Sequence, residues 1–362
     1  MLQARRVILS DKINFPLTLA PMVGLTHVAL RLVIRDYMPV GAKTIWPTEM
    51  LNSRRIPGED LTTTPEAMRS ELESELVPQI LGNEKEYIQA SVAKLVQWGA
   101  EGIDINMGCP VQKALKHNYG VALMGDASYA ADVVRMTVKA SKVPVSVKLR
   151  AGLQGDFEYL VKFVEGLVEA GASWICLHPR TSAQKRRGIA DWDQIKRLRE
   201  RVSIPVIGNG DIQVADDVFE MIRETGCDMT MAGRALAARP WMMWQVGERL
   251  GFEAPPYIEA LGLGVWDQTL GRRRAPVTAL EEGAEYGKTL FLLLAYLKET
   301  LNPDLAMRKF RFHVRTTSVW LLFGQTVISI VTKAKTLDDM EAGLSQFFSS
   351  PVEMCGRTQL RE

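Results

Sequence analysis

The residues best equipped for chemistry stand together in Asn106-Met107-Gly108-Cys109-Pro110-Val111-Gln112-Lys113, which carries a carboxamide, a thiol and an ammonium. Gly108 admits dihedrals that other residues avoid and Pro110 locks its own φ, so the backbone sets the direction of Cys109. A free cysteine is most often a small core hydrophobe. A thiol directed by such a corner has two chemical uses. As a thiolate it is a nucleophile; with an ordinary pKa of ~8.5 it stays protonated at neutral pH and can act as a general acid. Further along, Lys148, His178, Arg180, Asn209-Gly210-Asp211 and Gly233-Arg234 offer cations, an imidazole and glycine-rich corners. Taken singly, each is equally well a solvated strand end or a turn.

A repeated strand–helix pattern could bring these groups together. Apolar or β-branched runs occur at 17–22, 44–50, 76–81, 102–106, 143–150, 173–178, 204–209 and 228–232. Amphipathic stretches with helical spacing lie between most of them, at 84–98, 128–141, 157–170, 191–201 and 214–225. Eight such units predict an α/β fold, a TIM (β/α)8 barrel. An open doubly wound sheet is disfavoured, because no GxGxxG follows the first run. Residues 52–75 are polar and irregular and read as an insertion. The alternation stops after Trp241. Residues 253–276 are rich in Gly and Pro, carry Arg272-Arg273-Arg274, and read as a linker. Helical patterns at 280–300, 303–315, 318–331 and 337–348 then predict a small bundle. The expected organisation is a barrel over 1–250, a linker over 251–276 and a helical domain over 277–362.

The 362 residues are 47% hydrophobic and 24% charged, with a formal net charge of +2. That is an ordinary globular balance without a global basic field, so any surface for nucleic acid must be local. Cys109, Cys176, Cys227 and Cys355 show neither CxxC nor metal-ligand spacing, which points away from a disulfide framework or a metal site and toward a reducing compartment. Residues 1–14 lack the apolar stretch of a signal peptide, and 319–331 is too short to span a bilayer. A cytoplasmic monomer is the expectation.

In a TIM barrel, functional groups collect where the strands end. Those ends carry Pro21, Met22 and Val23, then Gln79, then Asn106 to Cys109, then Lys148 and Arg150, then His178 and Arg180, then Asn209-Gly210-Asp211, and last Gly233-Arg234. The seventh and eighth ends are glycine-rich and each opens a helix, which is where such barrels hold a phosphate; Arg234 could take it bidentately. Lys148 would face the middle of the rim, placed to stabilise negative charge on the N1–C2=O edge of a flavin, with Gln79 at the ring edge. This suits FMN, although a phosphate alone would fit other ligands.

The combination of Ala20-Pro21-Met22, Gln79, Asn106-x-Gly-Cys109-Pro110-x-x-Lys113, Val147-Lys148, His178-x-Arg180-Thr181, Asn209-Gly210-Asp211, Gly233-Arg234-Ala235 and Arg239-Pro240-Trp241 resembles the dihydrouridine synthases over essentially the whole chain. The resemblance implies an FMN-dependent, NADPH-linked enzyme that reduces the C5=C6 bond of particular uridines, mostly in tRNA. A hydride would pass from flavin N5 to C6, and Cys109 would give a proton to C5. Pro21, Met22, Val23, Gln79, Lys148, His178, Asn209, Gly210, Asp211, Gly233 and Arg234 would hold the cofactor; Asn106, Lys113 and Arg180 would meet the substrate. The uridine must be flipped out of folded RNA at a cost of a few kcal/mol. Arg308, Lys309, Arg311, His313 and Arg315 cluster in the tail, and Arg308 and Arg311 are the expected RNA contacts. Lys185-Arg186-Arg187 and Arg272-Arg273-Arg274 read equally well as RNA contacts or solvated faces. The chain departs from the family at Arg187, where an aromatic residue is usual. An FMN barrel acting on a free pyrimidine, like dihydroorotate dehydrogenase, stays open, as do dihydrouridine formation in rRNA and RNA binding without catalysis.

Overall fold

The computed structural model describes residues 7–111, 115–153 and 155–358, so Lys113, an expected substrate contact, lies outside the described residues. Eight parallel strands stand at the centre: β1 (Leu17–Leu19), β2 (Trp46–Asn52), β3 (Leu76–Leu81), β4 (Ile103–Met107), β5 (Val145–Arg150), β6 (Trp174–His178), β7 (Val206–Asn209) and β8 (Met229–Ala232). They are hydrogen-bonded in the order β1-β8-β7-β6-β5-β4-β3-β2. Side chains bridge the remaining junction, where Thr18 Oγ1 donates to Ile45 O and Thr44 Oγ1 donates to Leu17 O. The fold is a nearly closed TIM barrel, and each of the eight apolar runs supplies one strand.

The flanking helices are α1 (Val28–Asp36), α2 (Lys85–Trp98), α3 (Ala127–Ala140), α4 (Phe157–Glu169), α5 (Trp192–Arg201), α6 (Ala215–Thr225), α7 (Arg234–Ala238) and α8 (Met242–Arg249). Local chemistry sets their ends. Asp126 and Asp156 each accept from a first-turn amide, of Tyr129 and Tyr159, at 3.0 Å. Gly99, at φ 104°, takes the left-handed cap of α2 that turns the chain toward β4.

The two-residue period of the strands sorts their side chains. Ile103, Ile105, Met107, Val145, Val147, Leu149, Ile175 and Leu177 join the large core beneath the helices. Their alternates face into the barrel. Trp174, Cys176, Ile207, Met229 and Met231 pack there with Ile8 and Val77 as an apolar plug. Asp104, Asn106, Ser146, Lys148, His178 and Asn209 follow on the same inner face, so the interior turns polar toward the C-terminal rim.

The segment read as a linker carries a hairpin, β9 (Val265–Asp267) against β10 (Arg272–Arg274). Arg273 pairs with Glu259 at 3.0 Å, and Arg274 pairs with Asp267 and Glu281 at 3.1 and 2.7 Å. Two members of that arginine triplet therefore serve the fold. The tail consists of α9 (Ala279–Thr300), α10 (Pro303–Thr317), α11 (Gly324–Lys333) and α12 (Leu337–Phe348). The single helix expected over 318–331 is divided, because Phe323 turns the chain at φ 60°. A Cβ at Gly324 would lie 2.0 Å from Ser318 O, so the turn requires glycine.

Tail and barrel share one buried cluster that includes Leu17, Leu30, Trp241, Tyr286, Leu290, Phe310 and Leu344. Polar ties add direction to this packing. Tyr37 donates to Glu285 at 2.6 Å, Tyr296 to Asp36 at 2.8 Å, and the Trp241 indole to Glu282 at 3.0 Å.

Candidate active site

A cavity of about 1150 Å³ opens at the C-terminal rim. Pro21, Met22, Val23, Gln79, Asn106, Cys109, Lys148, His178 and Arg234 line it, all of them singled out from the sequence. The tail contributes Phe312, Arg315 and Trp320 to the lining, and Arg150 and Lys185 to Arg187 add further cations.

The Cys109 corner is held from several directions. Asn106 Oδ1 accepts from the Gly108 and Cys109 amides at 3.1 and 2.9 Å, while Asn106 Nδ2 donates to Gln79 Oε1 at 2.7 Å. The Cys109 carbonyl accepts from Val121 N at 3.1 Å. Gly120 lies so close that a Cβ there would sit 2.6 Å from the Cys109 carbonyl oxygen. Arg150 reaches across to donate to Gly108 O at 2.9 Å and Lys185 O at 2.8 Å. Cys109 itself is free and half-buried. Among the described residues, no imidazole or carboxylate is hydrogen-bonded to its sulfur.

On the strands that follow, Lys148 Nζ donates to Asn209 Oδ1 at 3.0 Å, and Asn209 Nδ2 donates to Met231 O at 2.7 Å. His178 is pushed down to about 2, by burial first and then by the fields of Lys148, Arg150, Arg180 and Arg234, so its ring is neutral at physiological pH. Arg180 Nη1 lies 3.1 Å from His178 Nε2. A guanidinium can only donate, so Nε2 is the acceptor and Nδ1 carries the hydrogen.

Two polar residues singled out from the sequence are engaged internally. Arg180, expected at the incoming nucleotide, bonds Asp211 at 2.7 and 2.9 Å, Gly188 O at 2.5 Å and Arg187 O at 3.2 Å. Asp211 also accepts from Ala190 N at 2.6 Å. Together they pin the 185–190 loop to the rim. Gly210, at φ 121°, allows this approach, since a Cβ would lie 2.9 Å from that of Ala190. Gly233 precedes α7, and Arg234 opens that helix and lines the cavity. The lining therefore joins cations, a neutral imidazole and carboxamides, a set suited to a planar ligand that bears an anion.

The family model described as Dihydrouridine synthase (Dus) matches residues 18–317. The chain belongs to that family. Among its relatives, a probable tRNA-dihydrouridine synthase of Mycobacterium tuberculosis (strain CDC 1551 / Oshkosh) is 31% identical over 344 residues, covering 91% of this chain and 82% of the relative. One of Rhizobium leguminosarum bv. phaseoli is 34% identical over 223 residues, 62% of this chain and 69% of the relative. Probable tRNA-dihydrouridine synthase 1 of Synechocystis is 33% identical over 228 residues, and the chain spans 63% of its length. A solved mutant of FabK from Thermotoga maritima aligns with a TM-score of 0.40 and 10% identity over 62% of this chain and 63% of that one.

Around the cavity of this family member, the tail's basic segment divides by contact. Lys309 forms an ion pair with Glu49 on β2, whose other oxygen accepts from Gly24 N at 2.6 Å. Arg311, expected on RNA, donates to Val331 O and Ala334 O at 2.9 and 2.7 Å and so caps the end of α11. His313 is buried. Arg308 and Arg315 are exposed, with Phe312 between them on the same helix face. Phe312 packs over Gly24, where a Cβ would lie 2.7 Å from its ring. An aromatic four residues beyond Arg308 was the sequence signal for this stripe. Among the described residues, no helix is long and apolar enough to cross a membrane, and no cluster of potential metal ligands occurs.

Proposed function

We propose that the chain is a flavin-dependent tRNA-dihydrouridine synthase that holds FMN in the rim cavity and draws electrons from NADPH. The lining fits this cofactor. Arg234 and the adjoining start of α7 would hold its phosphate, Lys148 the carbonyl edge of the ring, and Gln79 the ring's other edge. The reduced flavin would supply the hydride for C6 of the uracil.

The observation that carries the reading is Cys109, a directed thiol with no imidazole or carboxylate bonded to it among the described residues, in the same cavity as Gln79, Lys148, His178 and Arg234. A protonated thiol is the species needed to give C5 its proton. Neutral His178 would add no charge to a bound ring, and the apolar surfaces of Val23 and Phe312 would limit water. The tRNA substrate is the one in the relatives' names.

The purified protein should show flavin absorbance that NADPH bleaches, and should form dihydrouridine in bulk tRNA. Cys109→Ala should lower that turnover by about 10²- to 10⁴-fold while flavin content and tRNA affinity stay as they were. Oxidation of dihydroorotate without action on tRNA, or a fully active Cys109→Ala, would defeat the reading.

A further inference from the structure

A line of hydrogen bonds runs from the Cys109 corner down into the barrel, and its polarity is determined at the top. The Gly108 and Cys109 amides can only donate, so the atom of Asn106 that faces them must be Oδ1. Nδ2 then faces Gln79, whose amide must present Oε1 at 2.7 Å. Gln79 Nε2 is thereby turned to Asp104 Oδ2 at 2.7 Å, and Ser146 Oγ lies 2.7 Å from Asp104 Oδ1. Turning either carboxamide over would set donor against donor. Asp104 is the buried acceptor that ends the line, and its two-residue spacing from Asn106 on β4 places both on the inner face.

We propose that Asp104 is a positioning residue for the Cys109 corner: it locks the Gln79 amide in the orientation that lets Asn106 accept both corner amides. The same lock shapes recognition. Both lone pairs of Asn106 Oδ1 are occupied, so Asn106 has one N–H and no acceptor left for a ligand in the cavity. It thus matches a carbonyl oxygen and disfavours an amino group. On the reaction proposed above, that favours the carbonyl edge of uracil over the amino edge of cytosine.

Two substitutions separate polarity from charge. Asp104→Leu removes the acceptor that anchors Gln79 Nε2, so the Gln79 amide is free to swing away from Asn106. Asp104→Asn removes the charge, yet its Oδ1 can still accept from Gln79 while its Nδ2 donates to Ser146. Iodoacetamide labelling of Cys109, read by peptide mass spectrometry, reports the corner directly; exposed Cys355 serves as the internal control. In Asp104→Leu, Cys109 labelling should change several-fold with Cys355 unaltered, and kcat on tRNA should fall on the order of 10- to 100-fold at little-changed KM, as misplacement of a reacting group predicts. Asp104→Asn should rescue both readouts. A Leu variant that matches the wild type, or an Asn variant that falls as far as Leu, overturns the proposal. Should the Leu variant not fold, hydrogen exchange in the wild type decides: the Gly108 and Cys109 amides should be protected, and free exchange would refute the lock. Only the kcat arm rests on the proposed reaction; labelling and exchange test the lock even if tRNA proves not to be the substrate.

Discussion

His178 and His313 are both neutral at physiological pH, for related reasons. Burial and surrounding cations push His178 down to about 2, and burial alone pushes His313 down to about 3. Each folded-state pKa lies below the ordinary value of 6.5, so the unfolded chain binds more protons between those limits. Stability is therefore full above pH 6.5 and lost as pH falls toward 3. Asp36, raised by burial to about 6, acts in the opposite sense, since its folded form gains a proton first. Replacing His313 isolates one contribution. For His313→Phe, urea unfolding at pH 7 and pH 5 should show a stability difference about 2 kcal/mol smaller than in the wild type. An unchanged difference would mean that His313 titrates normally.

At the scale of elements, α10 is the piece that joins barrel to tail at the site. Its Lys309–Glu49 pair is almost wholly buried, and the Glu49 carboxyl is raised by burial, with Lys309 opposing that shift. Removing the ammonium strands a carboxylate inside, which in other buried pairs costs about 3–5 kcal/mol. Lys309→Ala should lower unfolding stability by that order, and adding Glu49→Gln should recover much of it. A loss under about 1 kcal/mol would show that water reaches the pair. Arg311 belongs to the same architecture. Its bonds to the end of α11 explain why it stands apart from Arg308 despite lying three residues away on one helix.

For the whole molecule, a net charge of +2 cannot attract RNA by itself, so the arrangement of charge matters. Arg315 and the Lys185–Arg187 loop line the cavity, and exposed Arg308 extends the stripe along α10. The double variant Arg308→Glu/Arg315→Glu should weaken tRNA binding and flatten its salt dependence, by about 0.7 to 0.9 in log–log slope per lost phosphate contact. Filter binding between about 50 and 200 mM salt, the range over which such contacts are lost, measures this directly. Flavin absorbance should be unaffected. An unaltered slope would remove α10 from the RNA path.

The barrel was legible in the sequence because strand alternation, helical spacing and glycine or proline corners are local patterns, each readable within a few residues. The Cys109 corner, Lys148, His178 and Arg234 were legible for the same reason, as residues at strand ends. The partner of each polar group was not. Arg180 closes on Asp211 across 31 positions, Gln79 on Asp104 across 25, and Lys309 on Glu49 across 260. Sequence could mark Arg180 and Asp211 as charged residues at strand ends and Arg311 as a basic residue of the tail. It could not show that their charges are satisfied within the fold, nor that Phe312 from the tail reaches the cavity. Those outcomes depend on which distant groups the closed barrel and docked tail bring within about 3 Å, where a hydrogen bond either forms or does not.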